Sequence, residues 1–313
     1  MPQVRGGEDA ASGGVSAAGV MGASAPEPAS VNDAREGLDA ARAPLADCAD
    51  AGAPTPSAQG IDAMPGRTFV IGDIHGEMDH LRRLMGRLPD VGASDTVVFL
   101  GDYVDRGPHS RAVVNAVRGL DRDTGCNVVC LRGNHEDAWL RVIDHGWPGF
   151  VLPPGNGCIA AFNSFRGAPA DAMLSGEDYE ALLTGRFLPP EVVTWFRGLP
   201  FWYEDEHAIY VHAGLGTDTE GRFVHPREAA DPFALLWART TAFFRDYRGK
   251  RVVVGHTHTM QLPPELSQHT VDDPTDVWAG PSVVALDTGC GRGGFLSALE
   301  LPSMKVYESR DPP

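Results

Sequence analysis

The chain has 313 residues, a net charge of −16 at pH 7 and 42% hydrophobic residues, a composition typical of a globular protein with a full core. The negative charge argues against nucleic acid as a partner, because binding a duplex needs a basic face. Since no apolar run of the sequence reaches about 18 residues, we also predict no membrane partner. Five cysteines without a framework spacing indicate reduced thiols and a cytoplasmic protein.

The N-terminal segment differs in composition from the rest of the chain. Residues 1–66 are rich in Ala, Gly and Pro, contain no aromatic residue, and carry three Arg against nine Asp and Glu. Such a segment cannot bury enough apolar surface to offset the entropy of ordering. We therefore predict a disordered acidic tail over 1–66 and one folded domain over 67–313.

The folded part begins with short apolar runs that alternate with helical patterns. The runs lie at 68–71, 96–100 and 128–130, and the helical patterns between them at 77–88 and 111–120. This alternation predicts βαβ units on a parallel sheet, and hence an α/β fold. From 145 to 200 the pattern is helical and interrupted by Pro, which predicts a mostly helical cap insertion. Further strands are expected at 201–203, 209–211 and 252–254, with antiparallel strands at 283–286 and 295–301.

Five of these predicted strands end in a short polar loop. Ligands of open α/β sheets bind at the carboxyl ends of strands, so the polar side chains of the five loops are expected to meet. The loops carry Asp73 and His75; Asp102, Asp105 and Arg106; Arg132, Asn134 and His135; His212; and His256. Taken singly, each is more often a turn residue, a helix cap or a surface residue. Five such loops together favour a functional site.

The side chains of these loops suit divalent metal ions. Carboxylates, an amide oxygen and imidazoles match Mn, Fe or Zn, and the lack of a thiolate argues against a structural zinc site. A two-metal centre clamps the attacking and the leaving oxygen of an in-line displacement, of which phosphoryl transfer is a common case. Asp102, directly after the second strand, is placed to bridge two ions.

Five motifs stand in order along the chain: G-D-I-H-G from 72, G-D-Y-V-D-R-G from 101, R-G-N-H-E from 132, H-A-G from 212 and G-H-T from 255. In them the chain resembles the calcineurin-like metallophosphoesterases, in the bacterial branch of the phosphoprotein (serine/threonine) phosphatase superfamily, related to symmetrical diadenosine tetraphosphate hydrolases. The resemblance implies a metallophosphoesterase β-sandwich with mixed sheets flanked by helices. It also implies two divalent metal ions as cofactors, with Mn²⁺ expected and Fe or Zn as alternatives.

The resemblance further implies a role for each site residue. Six residues would hold the two ions: Asp73, His75, Asp102, Asn134, His212 and His256. A hydroxide shared by the ions would be the nucleophile. His135 would be the general acid that protonates the leaving oxygen, oriented and kept cationic by Asp105. Arg106 and Arg132 would hold phosphate oxygens, and Arg239 would add a further phosphate contact.

The leading functional hypothesis is a phosphomonoesterase that acts on phosphoserine and phosphothreonine in proteins. Alternatives are a symmetrical diadenosine tetraphosphate hydrolase, a broad phosphatase of small phosphorylated substrates, and an inactive module that only binds phosphorylated partners. The intact Asp102, Asn134, His135 and Arg132 argue against the inactive module. The sequence does not separate the enzymes, because metals and arginines recognise the phosphate and not what is attached to it.

Gly289, Gly291 and Gly294 formally match G-x-G-x-x-G, the dinucleotide-binding fingerprint. The residues that follow read as a strand, whereas the fingerprint requires a helix there. We therefore predict a glycine-rich hairpin turn at this position.

Overall fold

The computed structural model describes residues 66–268 and 273–311, so the predicted acidic tail, apart from Gly66, lies outside the described residues. Within these ranges ten strands form two five-stranded sheets. The strands are β1 (Thr68–Ile71), β2 (Thr96–Phe99), β3 (Asn127–Cys130), β4 (Trp202–Glu204), β5 (Ile209–Val211), β6 (Val252–Val254), β7 (Trp278–Ala279), β8 (Val283–Ala285), β9 (Ser297–Leu301) and β10 (Lys305–Glu308).

Both sheets are mixed and have parallel strands at their centre. The first has the order β10-β9-β1-β2-β3, in which β1, β2 and β3 are parallel and β9 and β10 run antiparallel. The second has the order β4-β5-β6-β8-β7, in which β5, β6 and β8 are parallel and the two edge strands are antiparallel. The predicted α/β class with mixed sheets is confirmed.

The side chains of the first sheet alternate between two apolar layers. Val70 and Val98 pack against the second sheet, where they meet Val253. Phe69 and Ile71, one residue away on the same strand, pack against the helices. Because successive side chains of a strand point to opposite faces, one short apolar run supplies both layers. The strand ends that carry the polar loops are thereby fixed by burial on both sides.

Nine α-helices surround the sheets within the described residues. They are α1 (Met78–Met85), α2 (Ser110–Thr124), α3 (Asn134–His145), α4 (Pro148–Val151), α5 (Cys158–Arg166), α6 (Gly176–Leu183), α7 (Pro190–Gly198), α8 (Phe233–Trp237) and α9 (Thr241–Asp246). Helices α4 to α7 occupy the segment for which we expected a helical cap. In the described part of the chain no helix is long and apolar enough to cross a membrane, and the four described cysteines are free thiols.

The structure departs from the expectations at two points, the neighbours of strand β8 and the start of helix α3. Strands β8 and β9 were expected to be antiparallel, and each has an antiparallel neighbour, β7 and β1 respectively. On its other side β8 lies parallel to β6, because a long connection between the two returns the chain to the same end of the sheet. The antiparallel partner of β8 is the two-residue strand β7, Trp278–Ala279. This strand was not predicted because polar residues surround it in the sequence.

The second correction concerns the start of α3. We expected Asn134 and His135 to lie on the loop that follows β3. Instead, Asn134 is the first residue of α3. The backbone N–H of His135 donates to Asp102 Oδ1 at 3.0 Å, which satisfies an amide that the helix itself leaves unpaired. The buried carboxylate of Asp102 therefore supports the first turn of the helix.

Candidate metal centre

The five predicted loops meet at one edge of the two sheets. Strands β1, β2 and β3 of the first sheet and β5 and β6 of the second deliver the six predicted metal ligands. All six are buried, with at most 5% of the residue surface exposed: Asp73, His75, Asp102, Asn134, His212 and His256. The sandwich brings together residues that are up to 183 positions apart in the chain.

Asp102 lies between the two halves of this cluster. Its Oδ2 is 3.3 Å from Nε2 of His75, and its Oδ1 is 3.5 Å from Nε2 of His212. Each carboxylate oxygen therefore faces the imidazole of a different half. This arrangement suits a carboxylate that bridges two ions, the role predicted for Asp102.

Backbone carbonyls fix the tautomers of two of the histidines. Nδ1 of His75 donates to the carbonyl of Val104 at 3.0 Å, and Nδ1 of His212 donates to the carbonyl of Leu100 at 2.9 Å. A carbonyl can only accept, so in the neutral ring the Nε2 lone pair faces the cluster. This is how metal-binding histidines are commonly oriented by their neighbours.

Asn134 completes the second half of the cluster. Its Oδ1 lies 2.9 Å from Nε2 of His212 and 2.8 Å from Nδ1 of His256. Nε2 of His212 and Oδ1 of Asn134 both present lone pairs and neither carries a hydrogen. Their close approach is favourable only when a cation lies near both. The donor chemistry and its close spacing therefore fit a divalent ion held by Asn134, His212 and His256.

The electrostatics of the cluster also favour bound cations. Burial, with the negative charges of Asp287 and Asp102, raises the pKa of Asp73 well above its usual value. Burial lowers the pKa of His75 and of His256 well below the usual value of a histidine. Neutral imidazoles are ready to bind metal, and the mutual repulsion of the carboxylates is relieved by positive ions.

Backbone conformation marks the same loops. Five residues of the site that are not glycine have positive φ angles: His75, Asp102, Asp105, Arg106 and His256. In the described part of the chain only Met304 shares this property outside the site. Each such conformation costs of the order of 1–3 kcal/mol and persists when the surrounding structure imposes it. The fold thus holds strained backbone where the predicted ligands are.

His135 and Asp105 form a buried pair beside the cluster. Nδ1 of His135 is 2.6 Å from Asp105 Oδ2, and the indole Nε1 of Trp139 donates to both oxygens of Asp105 at 3.0 and 3.1 Å. Nε2 of His135 faces the cluster, 3.9 Å from Asp102 Oδ2. By distance alone His135 could be a ligand with His75 and Asp102. Its contact with Asp105 is the geometry of the predicted general acid.

The predicted phosphate-binding arginines occupy different positions. The guanidinium of Arg106 lies within the cluster of predicted ligands, where it contacts Nε2 of His75 and, at 3.2 Å, Nε2 of His135. Arg132 Nη2 donates to the carbonyl of Arg197 at 2.7 Å, and its guanidinium lies over the ring of Phe201. Arg132 thus contacts Arg197 of the cap, and Phe201 and Asp137 outside it, and its phosphate contact stays a prediction.

Arg239 lies at the edge of the site. It follows helix α8 and is exposed. Its positive charge interacts with the buried carboxylates of Asp287, Asp102 and Asp73. This places Arg239 within electrostatic reach of the metal ligands, where a phosphate contact was predicted.

Glu136 has a larger part in the site than the sequence indicated. Its buried carboxylate accepts hydrogen bonds from the backbone N–H groups of Asp102 and Tyr103, each at 2.9 Å, and of Gly133 at 3.0 Å. Burial and the charge of Asp102 raise the pKa of Glu136 to about 8, against the effect of these donors. Glu136 therefore ties the loop after β2 to the start of α3. Its place in the R-G-N-H-E motif was the only available signal.

Gly133 allows this close packing. A Cβ at this position would lie 2.2 Å from both the backbone nitrogen and Oδ1 of Asp102, so any side chain would displace the predicted bridging ligand.

An aromatic wall, defined here as Trp147, Phe150 and Trp237, was missed by sequence reasoning. The ring centroid of Phe150 is 5.4 Å from that of His135, and the centroid of Trp237 is 6.4 Å from that of His256. Trp147 joins the two, at 5.6 Å from Phe150 and 5.9 Å from Trp237. Both tryptophans are partly exposed. They are 90 positions apart in the chain and belong to no motif, so nothing in the sequence linked them.

The chain is similar to known proteins. The family model described as calcineurin-like phosphoesterase matches residues 66–260. A symmetrical bis(5'-nucleosyl)-tetraphosphatase of Dechloromonas aromatica is 26% identical over 77% of this chain and 95% of its own length. The asymmetrical bis(5'-nucleosyl)-tetraphosphatase PrpE of Bacillus mycoides is 26% identical over 76% of this chain and 91% of its own length.

Similar solved structures include a metallophosphoesterase from Sphaerobacter thermophilus, with 19% identity and a TM-score of 0.45 over 79% of this chain and 88% of that one. Another is a protein serine/threonine phosphatase from Saccharomyces cerevisiae, with 18% identity and a TM-score of 0.46 over 80% and 83%. The family match covers more than half of the chain and includes all five motifs. The chain belongs to the calcineurin-like phosphoesterase family.

Proposed function

We propose that this protein is a metal-dependent hydrolase that cleaves a phosphoanhydride bond of dinucleoside tetraphosphates. The relatives named above act on such compounds by their names, and they match this chain over most of their length. This similarity supports the alternative hypothesis of the sequence analysis over the leading one, a phosphoserine and phosphothreonine phosphatase. It does not distinguish symmetrical from asymmetrical cleavage, because relatives of both names match.

The structural observation that carries this proposal is the aromatic wall. It starts at Phe150, against the predicted general acid His135, and continues through Trp147 to Trp237, against the predicted ligand His256. Aromatic rings stack on nucleobases regardless of their identity, at roughly 1–3 kcal/mol per base. A nucleoside attached to the phosphate chain could stack on the partly exposed Trp147 and Trp237, which buried Phe150 joins to the leaving-group side of the site, whereas a phosphoserine side chain offers nothing to stack.

The residues of the site would divide the reaction as follows. Asp73, His75, Asp102, Asn134, His212 and His256 would hold two divalent ions, which when bound supply Lewis acidity and a water of lowered pKa. Arg106 would bind oxygens of the scissile phosphate through its forked donors. His135 would give its proton to the leaving oxygen from Nε2, and Asp105 would hold its ring and stabilise its positive charge.

For the ions we propose Mn²⁺, since carboxylate, amide and imidazole ligands suit it, with Fe and Zn as alternatives. A cytoplasmic location stays a prediction of the sequence.

The deciding experiment compares initial rates on diadenosine tetraphosphate and on a phosphothreonine peptide, with Mn²⁺, Fe²⁺ and Zn²⁺ in turn. We expect the dinucleotide to be cleaved with the higher kcat/KM. Chromatography of the nucleotide products reports the position of cleavage, since ADP alone means symmetrical and ATP with AMP means asymmetrical cleavage. Faster turnover of the phosphopeptide would overturn the proposal in favour of a protein phosphatase.

A further inference from the structure

The glycine-rich turn over residues 289–294 lies directly on the metal centre. A Cβ on Gly291, whose φ is +78°, would lie 2.7 Å from Cβ of His75 and 3.2 Å from Cβ of Arg106. Only a glycine lets the turn approach these two residues so closely. The chain turns here as predicted, but the predicted hairpin is wrong, because β8 and β9, the strands before and after the turn, belong to different sheets. The turn belongs instead to the surroundings of the site.

Hydrogen bonds hold the turn in this position. The backbone N–H groups of Arg292 and Gly294 both donate to the carbonyl of Gly289, at 2.8 and 3.0 Å. The thiol of Cys290 donates to the carbonyl of Ile74, which immediately precedes the ligand His75, at 3.4 Å. These hydrogen bonds fix the backbone of the turn, which includes Arg292, next to the metal centre.

The charge of Arg292 belongs to the same electrostatic cluster as Arg106 and Arg239. Partial desolvation and the positive charge of Arg106 lower the pKa of Arg292, and Arg239 acts in the same direction. Its attraction to Asp287 and Asp102 opposes this effect. Three guanidinium groups thus lie close enough to repel one another.

No side chain in the described part of the protein forms a hydrogen bond or an ion pair with the guanidinium of Arg239 or of Arg292. Some other exposed arginines pair with a carboxylate, as Arg166 does with Asp178 at 2.9 Å, and others, such as Arg245, form no ion pair with a described residue. Two guanidinium groups without a partner among the described residues, each interacting with the charge of Arg106, form a local concentration of positive charge on an acidic protein. Such a cluster attracts an anion with several negative groups.

We propose that Arg292 and Arg239 form a second phosphate subsite, which holds a non-scissile phosphate of a polyphosphate chain next to the phosphate bound at Arg106. The inference rests on the proposed function and deepens it, because a polyphosphate presents adjacent phosphates and a monoester presents one. The subsite would favour anhydride substrates over phosphoserine and phosphothreonine. Arg292 has no place in the five motifs, so it is an addition to the predicted site.

The test measures inhibition of p-nitrophenyl phosphate hydrolysis by inorganic tripolyphosphate and by orthophosphate at saturating Mn²⁺. Orthophosphate reports on the scissile position alone, and tripolyphosphate on both positions. We expect Arg292→Gln to reduce the preference for tripolyphosphate over orthophosphate about tenfold, the effect of losing one charged hydrogen bond. Arg292→Lys should restore part of the preference, since it keeps the charge but loses the fork. An unchanged preference in Arg292→Gln would refute the subsite.

Arg245→Gln, which removes an exposed charge from helix α9, is the matched control and should leave the preference as in the wild type. Loss of metal to tripolyphosphate would affect the control and the test variant equally, so it would not imitate the expected result. A fall in the preference of the control as large as that of Arg292→Gln would mean a general charge effect and would also refute the subsite.

The two proposals fail separately. Calorimetric titration of tripolyphosphate into the wild type and Arg292→Gln, without turnover, measures the subsite directly. If the wild type does not cleave diadenosine tetraphosphate but Arg292→Gln binds tripolyphosphate about tenfold more weakly, the proposed substrate is wrong and the subsite stands. If the wild type cleaves the dinucleotide and both proteins bind tripolyphosphate alike, the subsite is wrong and the proposed function stands.

Discussion

The pair of His135 and Asp105 gives the sharpest prediction about the chemistry. Asp105 is fully buried, and its Oδ2 lies 2.6 Å from Nδ1 of His135. The substitution Asp105→Asn keeps the shape of the side chain and an oxygen that can accept from Trp139. It removes the negative charge that stabilises a protonated His135. An amide N–H turned towards Nδ1 would also move the ring proton to Nε2 in the neutral form.

The size of the effect follows from this contact. A hydrogen bond to a charged group contributes about 1.5–3 kcal/mol, which corresponds to roughly 10- to 150-fold in rate. We expect a loss in this range on a substrate whose leaving oxygen needs a proton. Trp139→Phe removes the indole donor but keeps the negative charge of Asp105 next to His135, so it should cost less activity than Asp105→Asn.

The assay compares kcat/KM on phenyl phosphate and p-nitrophenyl phosphate for the wild type and both variants, with bound metal measured in each. Phenolate is a poor leaving group and requires protonation, whereas p-nitrophenolate leaves readily without it. Asp105→Asn should therefore lose more activity on phenyl phosphate than on p-nitrophenyl phosphate. Equal losses on the two esters, or a loss of bound metal, would refute the view that Asp105 acts through a general acid.

Four further predictions concern metal, acid, tail and fold. Chelation should abolish hydrolysis and Mn²⁺ should restore it; activity that survives chelation contradicts a two-metal mechanism. His135→Asn should lower kcat by roughly 10²–10⁴-fold with bound metal unchanged, and loss of metal would identify His135 as a ligand instead. Deleting residues 1–60 should leave turnover of a small ester nearly unchanged; a collapse of activity would refute the predicted disordered tail. Burial raises the pKa of Asp95, but hydrogen bonds from Arg67 outweigh this effect and hold the pKa below its usual value. The carboxylate therefore stabilises the fold above about pH 4, and this stabilisation is lost as the pH falls through the lowered pKa. Asp95→Asn should accordingly lower the free energy of unfolding by about 1.5–3 kcal/mol at pH 7, and urea titrations at pH 3 that show the same difference would contradict this.

The sequence by itself determined the alternation of strands and helices and the order of the polar loops. Buried parallel strands are continuous apolar runs, so β1, β2 and β3 were visible as local patterns. The loop residues were visible because ligands gather at strand ends. Helix α3 was the exception, since its first turn depends on a carboxylate, Asp102, that is 33 positions away.

Only the tertiary structure decided which side chains meet. The pairing of β8 with β6 and the wall of Trp147, Phe150 and Trp237 join segments that no local pattern connects. The close approach of the turn at Gly291 to His75 and Arg106 likewise exists only in the folded chain. Metal ligands can be recognised along the chain because their chemistry dictates the residue type. The groups that select a substrate act through their charges and their distances from the site. Those distances are set only when the two sheets pack together.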